Sequence, residues 1–96
     1  MKESYVYILA SKRNGTLYVG SAVNLVKRVW EHKNNIMSGF TSKYQVHQLV
    51  YYEIHQNIIE AARRERRLKN WCRKWKLKII EAFNPTWRDL YLKAIC

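Results

Sequence analysis

The sequence predicts an α+β fold, a small and mostly antiparallel sheet flanked by helices in the order β-β-α-β-α-α. Three observations predict it. Two short runs rich in β-branched and aromatic residues flank the turn signal Asn14-Gly15. A third such run lies near the middle of the chain, and apolar residues recur at helical spacing in the segments that follow the second and third runs. At 96 residues the chain is expected to form a single domain, 1–96, with one small core.

The elements follow in order. Tyr5 to Ala10 reads as a strand, and Thr16 to Val19 as its returning partner, ending at Gly20. Asn24 is a helix N-cap residue, with Leu25, Val29 and His32 at helical spacing behind it. Asn34-Asn35 and Ser38-Gly39 mark a polar loop to about Gln45. Val46 to Ile54, rich in Val and Tyr, reads as the third strand. From about Asn57 to Phe83 the pattern is helical, with one or two breaks. Asn84-Pro85 ends it, because proline disfavours helical backbone in the residue before it. Trp87 to Ile95 is a last short helix or a tail.

Composition narrows the function. Eighteen Lys and Arg against seven Asp and Glu give a net charge of +11, the surface of a protein that meets polyanions, of which nucleic acid is the commonest. An aromatic content of 14% is too high for a disordered basic tail. No run of about 18 apolar residues is present, so a membrane span is excluded, and the first residues lack a secretory signal's apolar stretch. Cys72 and Cys96 are expected as two free thiols in a reducing cytoplasm, without the partners for a disulfide scaffold or a zinc site. The bases cluster: Arg63, Arg64, Arg66, Arg67, Lys69, Arg73 and Lys74, then Lys76 and Lys78, with Trp71 and Trp75 interleaved. They are read as phosphate-binding groups, which supply affinity without sequence preference.

One acid interrupts this run. Ala61, Leu68, Cys72, Trp75 and Ile79 share one face of a continuous helix, and Glu65 fills the gap in that stripe. A carboxylate facing a core needs a partner, either a neighbouring arginine or a hard divalent cation. Glu60, about 140° around the helix, suits the helix N-terminus instead. Earlier in the chain Arg28 and His32 project from one side of the first helix, and Tyr7 and Tyr18 lie on strands expected to pair. A base for water, a cation for charge developing on phosphate and a metal-holding carboxylate are what metal-assisted phosphodiester cleavage needs.

At these residues the chain resembles the GIY-YIG nuclease family. The two signatures stand here as Tyr5-Val6-Tyr7 and Tyr18-Val19-Gly20, followed in order by Leu25, Arg28 and His32. Glu65 falls at the family's metal-binding glutamate, with Leu68-Lys69 after it, and Asn84-Pro85-Thr86-Trp87-Arg88-Asp89-Leu90 closes the pattern as in the stand-alone bacterial branch. The resemblance spans about Ser4 to Leu90. It implies a three-stranded antiparallel sheet with the active site over it, and a divalent-metal-dependent endonuclease acting on DNA, a chemistry associated with DNA repair. In that reading Tyr18 or Tyr7 helps deprotonate water, and Arg28 steadies the phosphate. His32 supports the network or shares the base role, Glu65 holds one Mg²⁺ or Mn²⁺, and Gly20 and Asn84 are structural. The alternative is a nucleic-acid-binding module of the same fold that does not cut. Tyr5 and Val19 depart from the family's Gly and Ile within strands. Ala22 stands where many members carry a hydroxyl, which implies a missing hydrogen bond near the phosphate.

Overall fold

The computed structural model describes residues 3–36 and 39–95. Cys96 therefore lies outside the described residues. Strands β1 (Ser4–Ala10), β2 (Leu17–Ala22) and β3 (Gln48–His55) form one antiparallel sheet in the order β2-β1-β3. Helices α1 (Leu25–Lys33) and α2 (Phe40–Tyr44) precede β3, and α3 (Ile58–Asn70), α4 (Arg73–Phe83) and α5 (Tyr91–Ile95) follow it. The α+β class and the three antiparallel strands are as expected.

The hairpin closes with Asn14 in the left-handed region at φ 57°, a conformation asparagine tolerates. Its register sets Tyr7 opposite Gly20 and Leu9 opposite Tyr18. The ladder carries β2 past the predicted end at Val19 to Ala22, because Gly20, Ser21 and Ala22 continue to pair with β1. Between β1 and β3 the register shifts at Ile8/Leu9, where Leu9 pairs with Leu49 and Ile8 with Tyr51. Val50 is the extra residue of that bulge.

Side-chain alternation splits the sheet's apolar residues between two faces. Val6, Ile8, Ala10, Val19 and Val50 pack with Ala61 and Leu68 of α3, Ile80 of α4 and Trp87. Tyr7, Leu9 and Leu49 pack on the other face with Leu25 and Val29 of α1, Val46 and Leu90. Each such side chain contributes about 1.5–3 kcal/mol by leaving water.

The caps are those the sequence carries. The Asn24 side chain accepts a hydrogen bond from the Lys27 amide at 3.1 Å, and that of Asn57 from Glu60 at 2.9 Å. Asn84 is buried at the end of α4. Its Nδ2 donates to the Arg88 carbonyl at 2.8 Å and the Val50 carbonyl at 3.3 Å, which ties the closing segment to β3. The amide of Leu90 donates to the Leu49 carbonyl at 2.7 Å, so this segment covers the β3 edge of the sheet.

Two expectations need correction. The segment read as polar loop to Gln45 contains α2, and β3 begins at Gln48 because the Val46 amide closes α2 on the Thr41 carbonyl at 2.9 Å. The helical stripe also loses phase. Trp71 and Cys72 are extended, at ψ 148° and 157°, and break the predicted helix into α3 and α4. Ala61 and Leu68 are buried as expected, but Cys72 and Trp75 are exposed and the fully buried residue of α4 is Ile80. Trp71 turns inward at the break and packs against the Leu68 cluster, which the continuous phase would not allow. Among the described residues, no helix is long and apolar enough to cross a membrane.

Candidate active site

The site is built over β2 from both faces of the sheet. On one face the Tyr7 and Tyr18 rings lie 6.4 Å apart between centroids, and His32 lies 6.0 Å from Tyr7 and 5.3 Å from Tyr18. The register explains the approach. Tyr7 sits opposite Gly20, and a Cβ at Gly20 would fall 2.5 Å from Tyr7 Oη and 3.0 Å from Tyr18 Cε2. Glycine is thus required here for room between two phenols, not for backbone conformation.

Gly20→Ala should therefore do more than add a methyl group. Tyr7 is fully buried and tied to His32, so it cannot swing aside. The expected cost is about 1–3 kcal/mol of stability, together with displacement of the Tyr7 ring. A thermal melt and the loss of Tyr7–His32 contacts in NMR spectra check it; an unchanged melting temperature with contacts intact would contradict the packing described.

Tyr7, His32 and Thr41 form a buried chain. Tyr7 Oη lies 3.1 Å from His32 Nε2, and His32 Nδ1 lies 2.9 Å from Thr41 Oγ1. Burial raises the Tyr7 phenol well above its ordinary value, Tyr18 adds to the rise, and the Arg28 guanidinium opposes it. Burial also lowers His32, with Arg28 pushing the same way and Glu31 against it. At neutral pH a protonated phenol thus meets a neutral imidazole. One ring nitrogen then donates and the other accepts, so the phenol and the threonine hydroxyl take complementary roles on either side of the imidazole.

The acid arrives from the opposite face. Ala61 and Leu68 dock α3 under the sheet, and the phase between them brings Glu65 to β2. Ser21 Oγ donates to Glu65 Oε1 at 2.5 Å, and Lys69 Nζ pairs with Glu65 Oε2 at 2.7 Å. The carboxyl is partly buried, which raises its pKa, but the Lys69 and Ser21 contacts with the Arg28 charge bring it below the usual range. Arg28 reaches both halves of the site electrostatically, and Glu65 in turn acts on Tyr7. Glu31 holds the Arg28 guanidinium at 3.4 Å. Tyr7, Tyr18 and His32 are thus grouped on one face of β2, Glu65 sits against Ser21 on the other, and Arg28 acts electrostatically on both sides.

Among the described residues, no group of three or more His, Cys, Asp or Glu side chains is placed to hold an ion. Glu65 with the Ser21 hydroxyl nevertheless suits a hard divalent ion that takes one carboxylate and fills its shell with water and phosphate oxygens. The Lys69 ammonium stands on Oε2, so an ion at that oxygen would have to displace it.

The sequence reading missed Ser21 and Thr41. Ser21 was legible in one respect: alternation puts it on the face opposite Tyr18 and Gly20. It supplies a hydroxyl next to the position where Ala22 lacks one, and Ala22 itself is buried, its carbonyl accepting from Ser4 Oγ at 3.3 Å. Thr41 left no local signal, because only the folded chain carries α2 to His32.

The basic set divides. Arg64 corrects the prediction, because it is turned inward and is not a free phosphate-binding group. Its Nε donates to Glu53 Oε1 at 2.8 Å, and its guanidinium lies 5.1 Å from the Trp71 ring centroid. Glu53 also accepts from Tyr51 Oη and pairs with His55 Nε2 at 2.8 Å. Arg73 donates to the Asn14 and Gly15 carbonyls at 2.7 and 2.6 Å and fastens α4 to the hairpin turn. Arg63 pairs with Glu60 at 3.3 Å, and Lys69 with Glu65. Arg66, Arg67 and Lys74 are exposed, with no side-chain hydrogen bond or ion pair among the described residues.

Comparison with known proteins gives the family and the fold. Residues 3–78 match the model of the GIY-YIG catalytic domain. The UPF0213 protein SSP2268 of Staphylococcus saprophyticus is 38% identical over 80 residues, 83% of this chain and 96% of the relative. The UPF0213 protein CPE1444 of Clostridium perfringens is 38% identical over 79 residues, 82% and 84% of the two chains. The solution NMR structure of the UPF0213 protein BH0048 from Bacillus halodurans shares the fold, with a TM-score of 0.56 and 23% identity over 91% of this chain and 92% of that one. The matched residues include every side chain gathered at β2, and the chain belongs to the GIY-YIG catalytic domain family.

Proposed function

We propose that this chain is a divalent-metal-dependent endonuclease that hydrolyses phosphodiester bonds of DNA. The observation that carries the proposal is the grouping of Tyr7, Tyr18 and His32 on one face of β2 with Glu65 held by Ser21 on the other, beside a buried Tyr7–His32–Thr41 chain. Arg28 binds a non-bridging phosphate oxygen and offsets charge as it develops there. Tyr18, partly exposed where Tyr7 is fully buried, faces the attacking water and takes up its proton. A phenol ordinarily titrates near 10, so this role needs positive charge beside the oxygen. Tyr7 and His32 hold the Tyr18 ring from behind. Glu65 and Ser21 would hold one Mg²⁺ or Mn²⁺, which when bound would supply positive charge for the ester and the leaving oxygen.

A second reading, a nucleic-acid-binding module that does not cut, is favoured by the Lys69 ammonium on the carboxylate. Incubation with supercoiled plasmid and branched DNA plus Mg²⁺ separates the two. Nicking that disappears with chelator and in Arg28→Ala supports the enzyme. Salt-sensitive binding without nicking supports the module.

The exposed bases carry their own prediction. Arg67→Ala with Lys74→Ala should reduce the salt slope of DNA binding by about 1–2 units. A slope that does not change places both residues on a surface DNA never meets.

A further inference from the structure

We infer that the site receives a strand whose bases are unpaired, stacked on an aromatic ladder that α2 extends outward from Tyr18; the inference rests on the nucleic-acid reading above. Helix α2 turns its buried Thr41 toward His32. Beside Thr41 the helix carries Phe40 and Tyr44, four residues apart and therefore on one side. Both rings are 46% exposed, although an aromatic side chain contributes most when buried. They are not scattered. Phe40 lies 4.9 Å from Tyr44, and its ring is within 29° of parallel to Tyr18 at 6.3 Å. The three rings thus run from Tyr18 out to solvent. Lys43 stands beside the ladder, its Nζ 5.4 Å from the Tyr44 centroid.

This arrangement fits one occupant. In a duplex each base already stacks on its neighbours and presents only an edge, whereas an unpaired base offers a π-face. Stacking of such bases on aromatic side chains is favourable and indifferent to sequence. The net charge of +11 favours the polyanionic backbone over an apolar peptide.

The test is binding in chelator, so that cutting plays no part. A fluorescent 20-nucleotide single strand and its duplex are titrated at about 100 mM salt with wild type, Phe40→Ala and Tyr44→Ala. The single strand should bind about tenfold or more tightly than the duplex. Each substitution should weaken single-strand binding on the order of tenfold, with duplex binding and melting temperature unchanged. Tyr44→Ala is the cleaner arm, since Tyr44 does not touch Tyr18. Equal affinity for the two forms, or full single-strand binding by Tyr44→Ala, overturns the inference. So does a dimer that dissociates on Tyr44→Ala, which would mean that a second copy covers this face. Preferential single-strand binding through α2 without Mg²⁺-dependent nicking leaves the inference standing and removes the nuclease. Nicking with no single-strand preference does the reverse.

Discussion

Glu65→Gln should abolish DNA cleavage, by about a hundredfold or more, while leaving DNA affinity within about twofold. The magnitude follows from removing the charge proposed to hold the ion, whose electrostatic contribution would be several kcal/mol. The fold should survive. The amide oxygen still accepts from Ser21, and the Lys69 pair that is lost is half-exposed, worth about 0–1 kcal/mol. The exposed bases that meet the backbone are untouched. Plasmid nicking and fluorescence anisotropy on the same preparation check both halves. Unaltered cutting would mean that Glu65 is the wrong carboxylate. The next candidate, Glu60, is exposed at the α3 N-terminus and paired with Arg63, which makes it a poor substitute.

Tyr18→Phe and Tyr7→Phe should separate two tyrosines that the sequence could not rank. In the proposed mechanism Tyr18 carries the proton transfer, so its loss should lower cleavage by about 10²–10⁴-fold with little change in melting temperature. Tyr7→Phe acts differently. It removes the partner of His32 Nε2 at 3.1 Å and leaves a buried nitrogen unpaired, at a cost of about 1–3 kcal/mol. That variant should melt earlier and retain more activity than Tyr18→Phe. Kinetics and thermal melts of both decide it. A stable, inactive Tyr7→Phe beside an active Tyr18→Phe would reverse the assignment.

Much of the site was legible because local rules fix it. The Asn14-Gly15 turn and strand alternation bring Tyr7 and Tyr18 to one face. The spacing of Arg28 and His32 follows from helical period alone, and the phase of Ala61, Glu65 and Leu68 holds because α3 is regular through all three. Beyond Asn70 the same reasoning failed. Trp71 docks into the core, resets the phase and buries Ile80 where the stripe pointed to Ile79. Helix α2 was read as loop because five residues with Gly39 before them and a left-handed Gln45 after them carry almost no propensity signal. What holds α2 is a tertiary contact, Thr41 on His32. Arg64 was misread for a related reason. Charge runs look solvated in sequence, and only the fold shows that Glu53 and Trp71 claim one member.

The convergence of both sheet faces at β2 is tested most directly by titrating the protein with Mg²⁺ while following its NMR spectrum. The account predicts that Ser21 and Glu65 on one side, and Tyr18, Tyr7, Arg28 and His32 on the other, shift together along a single binding curve. Shifts confined to Glu65 and Lys69, or centred on the Glu53–His55 cluster, would contradict it.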